Sequence, residues 1–182
     1  MNKFILVASD VHRDSEAFER LSAIARTREC LAFLYAGDLD VEDWFISDIL
    51  RKRNFVFIPV AGNCDRPFSF TDAGLTPPPE YRSTDIGNLK IFMTHGHRYT
   101  LPEDVDLCSD KFDVVITGHT HKPNLTVRDT TIYMNPGSAS LPRGGSRAGY
   151  GIIEILEDSI LAQIRVLDGK ETVSSVSVSL HK

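Results

Sequence analysis

Phe4-Ile5-Leu6-Val7-Ala8-Ser9-Asp10-Val11-His12 reads as a strand followed at once by a carboxylate and an imidazole. An unbroken apolar run of this kind suits a strand buried on both faces, as in a parallel sheet. Four further polar pieces follow short apolar runs: Gly37-Asp38, Gly62-Asn63, Thr94-His95-Gly96-His97 and Gly118-His119-Thr120-His121. In open α/β sheets, ligands bind beyond the carboxyl ends of the strands. Strand ends that each present an imidazole, carboxylate or amide therefore point to one cluster of metal ligands. Residues i and i+2 of an extended segment face the same way, which gives the Asp10-x-His12 and His119-x-His121 spacings a geometric reason.

Between these pieces the pattern alternates strand and helix. Asp14 or Ser15 can cap a helix whose face is Phe18, Leu21, Ile24 and Ala25. Strands are expected over Leu31 to Ala36 and Phe55 to Val60. Between them, Asp40 is expected to cap a second helix with Trp44, Phe45, Ile49 and Leu50 on its apolar side and Arg51-Lys52-Arg53 at its end. Alternation of this sort argues for parallel pairing with right-handed crossovers. Phe68 to Tyr81, with Pro77-Pro78-Pro79, reads as an irregular excursion. Tyr81 to Ile86 and Leu89 to Thr94 flank Gly87-Asn88, a hairpin signal. A short helix is expected near Glu103 to Cys108, and strands over Val114 to Thr117 and Thr131 to Met134, the latter ending in Asn135-Pro136-Gly137-Ser138. Gly151 to Leu156 and Ile160 to Leu167 form a hairpin, and Val173, Val176, Val178 and Leu180 mark a last edge strand. The expectation is one α/β domain over residues 1–182, built of two sheets with helices outside.

A length of 182 residues, with 42% hydrophobic and 25% charged residues, suits a single globular domain. A formal net charge of −5 argues against strong nucleic-acid binding and against a basic membrane surface. The three cysteines, Cys30, Cys64 and Cys108, are too scattered for a disulfide framework or a Cys-x-x-Cys site, which favours a reducing, cytoplasmic setting. The first residues do not read as a signal peptide, and no apolar run reaches the roughly 20 residues of a membrane span. Edge strands near either end leave pairing with a second copy open.

In this order, the five pieces resemble the calcineurin-like metallophosphoesterase superfamily, whose pattern is D-x-H, G-D, G-N-H-E/D, G-H and G-H-x-H. The match runs from Asp10 to His121. Short length, Gly62-Asn63-Cys64-Asp65 and Asn135-Pro136-Gly137-Ser138 look like its small prokaryotic phosphodiesterase branch. The resemblance implies a four-layer, two-sheet α/β sandwich and an enzyme that hydrolyses small phosphodiesters. It implies one metal held by Asp10, His12, Asp38 and His121, a second held by Asp38, Asn63, His95 and His119, and a bridging hydroxide as nucleophile. Mixed carboxylate, imidazole and amide donors suit Mn²⁺ first, with Fe, Co, Ni or Zn as alternatives. Cys64 stands where many members carry a His that helps with phosphate or the leaving group. A neutral thiol is a poorer donor, so His97, two residues past His95, is the candidate to share that catalytic role with Cys64. Asn63, Arg66 and Arg143 are candidates for substrate binding, with Arg147 a further one, and recognition is expected in the Phe68 to Tyr81 and Ser140 to Arg147 loops.

Blander readings stand beside these. Lone histidines are mostly surface or structural residues. Here, however, five of the six (His12, His95, His97, His119 and His121) fall in the strand-end pieces. Asp10 and Asp38 could merely cap turns, Asp65 and Arg66 could pair with each other, Arg143 and Arg147 could be solvated charges, and Trp44, Phe45 and Phe55 are expected in the core. Two rival readings of the whole chain remain. One is a non-catalytic, metal-binding scaffold of the same fold that uses Phe68, Phe70 and Leu75 as a protein-binding surface. The other is a single structural zinc site, which leaves several of the seven ligand candidates idle.

Overall fold

The computed structural model describes residues 2–42, 44–98, 112–169 and 171–180. Element order is β1 (Phe4–Ala8), α1 (Ser15–Ala25), β2 (Cys30–Tyr35), α2 (Trp44–Arg51), β3 (Phe57–Pro59), α3 (Pro67–Asp72), β4 (Tyr81–Ile86), β5 (Leu89–Thr94), β6 (Val114–Ile116), β7 (Asn124–Arg128), β8 (Thr131–Asn135), β9 (Gly149–Ile155), β10 (Ser159–Val166) and β11 (Thr172–Ser179). They build a six-stranded sheet, β11-β10-β9-β1-β2-β3, and a five-stranded sheet, β4-β5-β6-β8-β7. β1, β2 and β3 run parallel, as do β5, β6 and β8.

β1 shows why its sequence is apolar throughout. Ile5 and Val7 enter the core between the sheets, where they meet Ile91, Met93, Val114, Ile116, Ile132 and Met134. Leu6 and Ala8 face the other way and pack with Phe18 and Leu21 of α1 and Ile46 and Leu50 of α2. Asp14 caps α1, its side chain accepting the Ala17 N–H at 2.9 Å. On the outer face of the five-stranded sheet, Phe92, Phe112 and Val115 form a smaller cluster.

Several expectations fail locally, each for a readable reason. Asp40 does not cap α2, which starts at Trp44; its carboxylate takes the Arg13 guanidinium at 2.7 Å instead. Trp44 is 72% exposed and Phe45 is 37% exposed, because α2 buries the face that carries Ile46, Ile49 and Leu50. The Phe68 to Tyr81 excursion begins with α3, which has Pro67 at its start and is too short to show a periodicity. β7 went unanticipated: it is a largely exposed edge strand whose residues Asn124-Leu125-Thr126-Val127-Arg128 lack an apolar run. The helix expected near Glu103 to Cys108 lies outside the described residues.

Candidate metal centre

Each parallel strand near the middle of the molecule ends on the same side, and the loops leaving them are tied to one another. Asp10 N–H donates to Gly37 O at 3.0 Å and His12 N–H to Asp38 O at 3.1 Å, joining the loops after β1 and β2. Gly118 N–H donates to His95 O at 3.0 Å, joining the loops after β5 and β6. These loops turn sharply. Asp10, His12, Asp38, His119 and His121 all have positive φ, between 46° and 68°. For residues other than glycine such backbone costs of order 1 kcal/mol or more, and it clusters at functional sites. Two glycines admit the loops at close range. A Cβ on Gly62 would lie 2.0 Å from Asp38 Oδ1, and one on Gly118 would lie 2.0 Å from Ser9 Oγ and 2.9 Å from Asp10 Oδ2.

All seven candidate ligands meet there. His12 Nε2 and His121 Nε2 are 3.2 Å apart, and their rings stack at 5.0 Å. Asp10 Oδ1 lies 3.3 Å from His121 Nε2 and 3.8 Å from His12 Nε2. Asp38 Oδ2 lies 3.7 Å from His12 Nε2 and 3.3 Å from His95 Nε2, so it faces both halves of the cluster. Asn63 Oδ1 is 3.2 Å from His95 Nε2, and the His119 ring sits edge-on to His95 at 5.2 Å. Asp10, His12 and His121 form one set of three donor atoms with mutual spacings suited to an ion, and Asp10, Asp38 and His95 form another.

The donor chemistry fits a cation. His121 Nδ1 is 2.7 Å from Leu141 O and His95 Nδ1 is 2.7 Å from Ala36 O, so each Nδ1 carries a hydrogen and each Nε2 turns a lone pair inward. Among the described residues, Asp10 Oδ1 is buried without a hydrogen-bond partner. Lone pairs of carboxylate, imidazole and amide thus converge on one region, where a divalent ion or a proton must neutralise them.

Titration in the metal-free chain reflects this. Burial pushes Asp10 above the ordinary carboxylate range, against the pull of Ser9, His95 and His121. Burial acts to raise Asp38 as well, but hydrogen bonding and charge from His95, the Cys64 N–H and His12 outweigh it and bring the group to about 2. His95 is the counterpart: burial works against its cation, yet Asp38, Asp10 and Ala36 O raise it above the usual imidazole value. Burial and then Asp38 push Cys64 up to about 11, which keeps its thiol neutral at pH 7. His97 is lowered by burial and then by His95 and Arg98, which favours its neutral form; its ring lies 5.3 Å from that of His95, and among the described residues its Nδ1 is buried without a hydrogen-bond partner.

The substrate-side candidates diverge. Arg143 N–H donates to His121 O at 3.0 Å, which keeps this exposed residue at the rim. Arg66 is 65% exposed, 3.9 Å from Glu42, with its guanidinium over the Phe68 ring. Arg147 pairs with Glu171 at 2.7 Å, which commits its charge elsewhere. Asp65 does not pair with Arg66. It accepts backbone N–H groups from Asp38, Leu39, Asp40 and Gly62 at 2.8 to 3.0 Å, and so fixes the loop that carries Asp38. Other braces also escaped the sequence reading. Tyr35 OH accepts the Val11 N–H at 3.0 Å and donates to Asp38 O at 3.3 Å. Asn135 Nδ2 donates to Gly118 O at 2.7 Å, Ser138 Oγ to Asp10 O at 2.6 Å and Ser140 Oγ to Val11 O at 2.7 Å. The available signals were a lone phenol ending the apolar strand β2 and the Asn-Pro-Gly-Ser turn at 135–138.

Comparison with known proteins agrees with this geometry. Phosphodiesterase YfcE of Escherichia coli K12 is 28% identical over 183 aligned positions, covering 89% of this chain and 97% of the relative. A solved structure titled as YfcE, a phosphoesterase from E. coli, superposes with a TM-score of 0.78 at 23% identity, over 97% of this chain and all of that one. Vacuolar Protein Sorting 29 from Cryptosporidium parvum shares the fold with a TM-score of 0.73 at 19% identity, over 98% of this chain and 99% of that one. The calcineurin-like phosphoesterase superfamily domain matches residues 4–158. With the match taking in the whole five-stranded sheet, four strands of the six-stranded one and every loop that lines the cluster, the chain belongs to the calcineurin-like phosphoesterase superfamily.

Proposed function

We propose that the chain is a phosphodiesterase that works with two divalent metal ions, Mn²⁺ in the first instance. The observation that carries this reading is the convergence of seven ligand-type side chains, with one Asp38 oxygen facing both halves and the Asp10 Oδ1 left bare among the described residues. Asp10, His12, Asp38 and His121 would hold one ion, and Asp38, Asn63, His95 and His119 the other. Bound, such a pair lowers the pKa of water and offsets the charge that grows on phosphoryl oxygens. The chain's own residues do the rest. Ser138, Ser140, Tyr35 and Asp65 hold the ligand loops rigid. Arg143 offers a cation to a phosphoryl oxygen, with Arg66 a second, partly engaged one. Cys64 and His97, both neutral, provide no charge for the extra negative oxygen of a monoester, which favours small diesters. The YfcE relative, itself named a phosphodiesterase, supports that substrate class.

Bis-p-nitrophenyl phosphate turnover with added Mn²⁺ tests the reading. Turnover is expected in the wild type and absent in Asp38→Asn, and elemental analysis should find two ions per chain. One ion and no turnover would favour the structural zinc site instead. Installing Cys64→His should raise monoester turnover relative to diester turnover, and an unchanged ratio counts against the role given to this position. A scaffold without catalysis draws support from the Vps29-like fold. However, Phe70 is 3% exposed and Leu75 packs against the core, so of its three proposed surface residues only Phe68 faces solvent.

A further inference from the structure

Cys64 lies inside the centre. Its Sγ, the His12 imidazole nitrogen and an Asp38 carboxylate oxygen are all within 4.8 Å of one another. Its N–H is fixed on Asp38 Oδ1 at 2.8 Å, and the sulfur accepts from Asn63 Nδ2 at 3.4 Å. Wholly buried Asp10 supplies a second, independent pointer: its unpartnered Oδ1 is 3.8 Å from the same His12 Nε2. We infer that Cys64 is a thiolate ligand that, with His12 and Asp38, captures a thiophilic divalent cation such as Zn²⁺ or Cd²⁺. The inference rests on the metal-centre reading above and extends it to Cys64, which that reading did not count among the ligands.

The chemistry is a ligand exchange. The S–H bond breaks, a sulfur–metal bond forms, and the proton leaves to solvent; no electron is transferred. A coordinated thiol is deprotonated outright. A tetrahedral zinc ion separates sulfur from imidazole nitrogen by roughly 3.6 Å, given bonds of about 2.3 and 2.1 Å. The observed spacing comes within a side-chain rotation of that. Hard Mn²⁺ has little use for sulfur, whereas soft ions prefer it. One pocket would therefore hold the two ion classes differently, with sulfur left out beside Mn²⁺ and coordinated beside Zn²⁺ or Cd²⁺.

The test titrates the metal-stripped full chain with Co²⁺ and Cd²⁺ and records absorbance. A sulfur-to-metal charge-transfer band in the ultraviolet is expected in the wild type, in Cys30→Ser and in Cys108→Ser, and is expected to vanish in Cys64→Ser. The Cd²⁺ dissociation constant of Cys64→Ser should rise at least about tenfold, the lower end of what losing even an outer-shell partner costs, while that for Mn²⁺ stays nearly unchanged. Visible cobalt bands without the charge-transfer band would overturn the thiolate and leave the metal centre standing; absence of both would overturn both. A band that survives in Cys64→Ser also overturns it. Independently of any variant, Cd²⁺ should shield Cys64 from alkylation, and unchanged labelling of that residue in the peptide map would sink the idea.

Discussion

Asp10 and Asp38 are both buried carboxylates at strand ends with left-handed backbone, yet the fold treats them in opposite ways. Asp38 is saturated: the Cys64 N–H binds one oxygen, His95 and His12 face the other, and its acidity rises. Asp10 gives one oxygen to the His119 N–H and leaves the other bare against two imidazole nitrogens, and its acidity falls. The lesson is that one half of the centre sets its carboxylate against His95, an imidazole whose proton affinity the site raises. The other half waits for a charge from outside. Strain and desolvation there are costs that bound ions would offset.

Four measurements would break or sharpen this contrast. Asp38→Asn should have the largest effect, because it removes the oxygen shared by both halves. Diester turnover is expected to fall at least about a hundred-fold, a few kcal/mol of transition-state stabilisation. If activity persists, Asp38 does not join the two halves. Asp65→Ala comes next: it strands the four N–H groups of the Asp38 loop. That should cost roughly 2–4 kcal/mol and lower Tm by roughly 5–10 °C, read by calorimetry.

A pH series on the chelated protein separates the two carboxyls themselves. Asp38 sits at about 2 in the folded chain against an ordinary 3.8, so it contributes stability wherever it is ionised in both states. That contribution, roughly 2 kcal/mol, is lost as pH falls from 3.8 toward 2. Asp10 has the opposite sign, since its folded value is raised: its burial penalty is relieved as pH falls through that value, above 3.8. Denaturant midpoints should therefore drop between pH 4 and 2 in the wild type and flatten in Asp38→Asn. The smallest expected effect is a gain. Asp10→Asn keeps an acceptor for the His119 N–H and adds an amide donor toward His121 Nε2. Metal-free Tm should rise by about 3–6 °C, the value of satisfying one buried group, while metal content per chain falls. A drop in Tm would mean that Asp10 is not strained in the way its bare oxygen indicates.

Much of this was readable from local pattern. The runs Phe4 to Ala8 and Val114 to Ile116 are apolar because both of their faces are buried, and the polar residues that end them are too costly to bury without a purpose. Misreadings fell where local pattern carries no information about depth. Trp44 and Phe45 look like core by type, but an eight-residue helix buries one face, and that face carries Ile46, Ile49 and Leu50. Asp65 looks like half of a surface pair, and only the folded loop shows four amides pointing at it. Tyr35, Ser138 and Ser140 are ordinary letters whose partners lie up to 130 positions away.

The sequence by itself determined which side chains could bind metal and that each stands at the end of a strand, because strand burial and residue type are local properties. Tertiary structure alone decided which lone pairs face one another, which carboxylate is saturated and which is left bare. Those are properties of distance between segments remote in the chain, and hydrogen bonding and Coulomb energy depend on distance, not on order along the backbone.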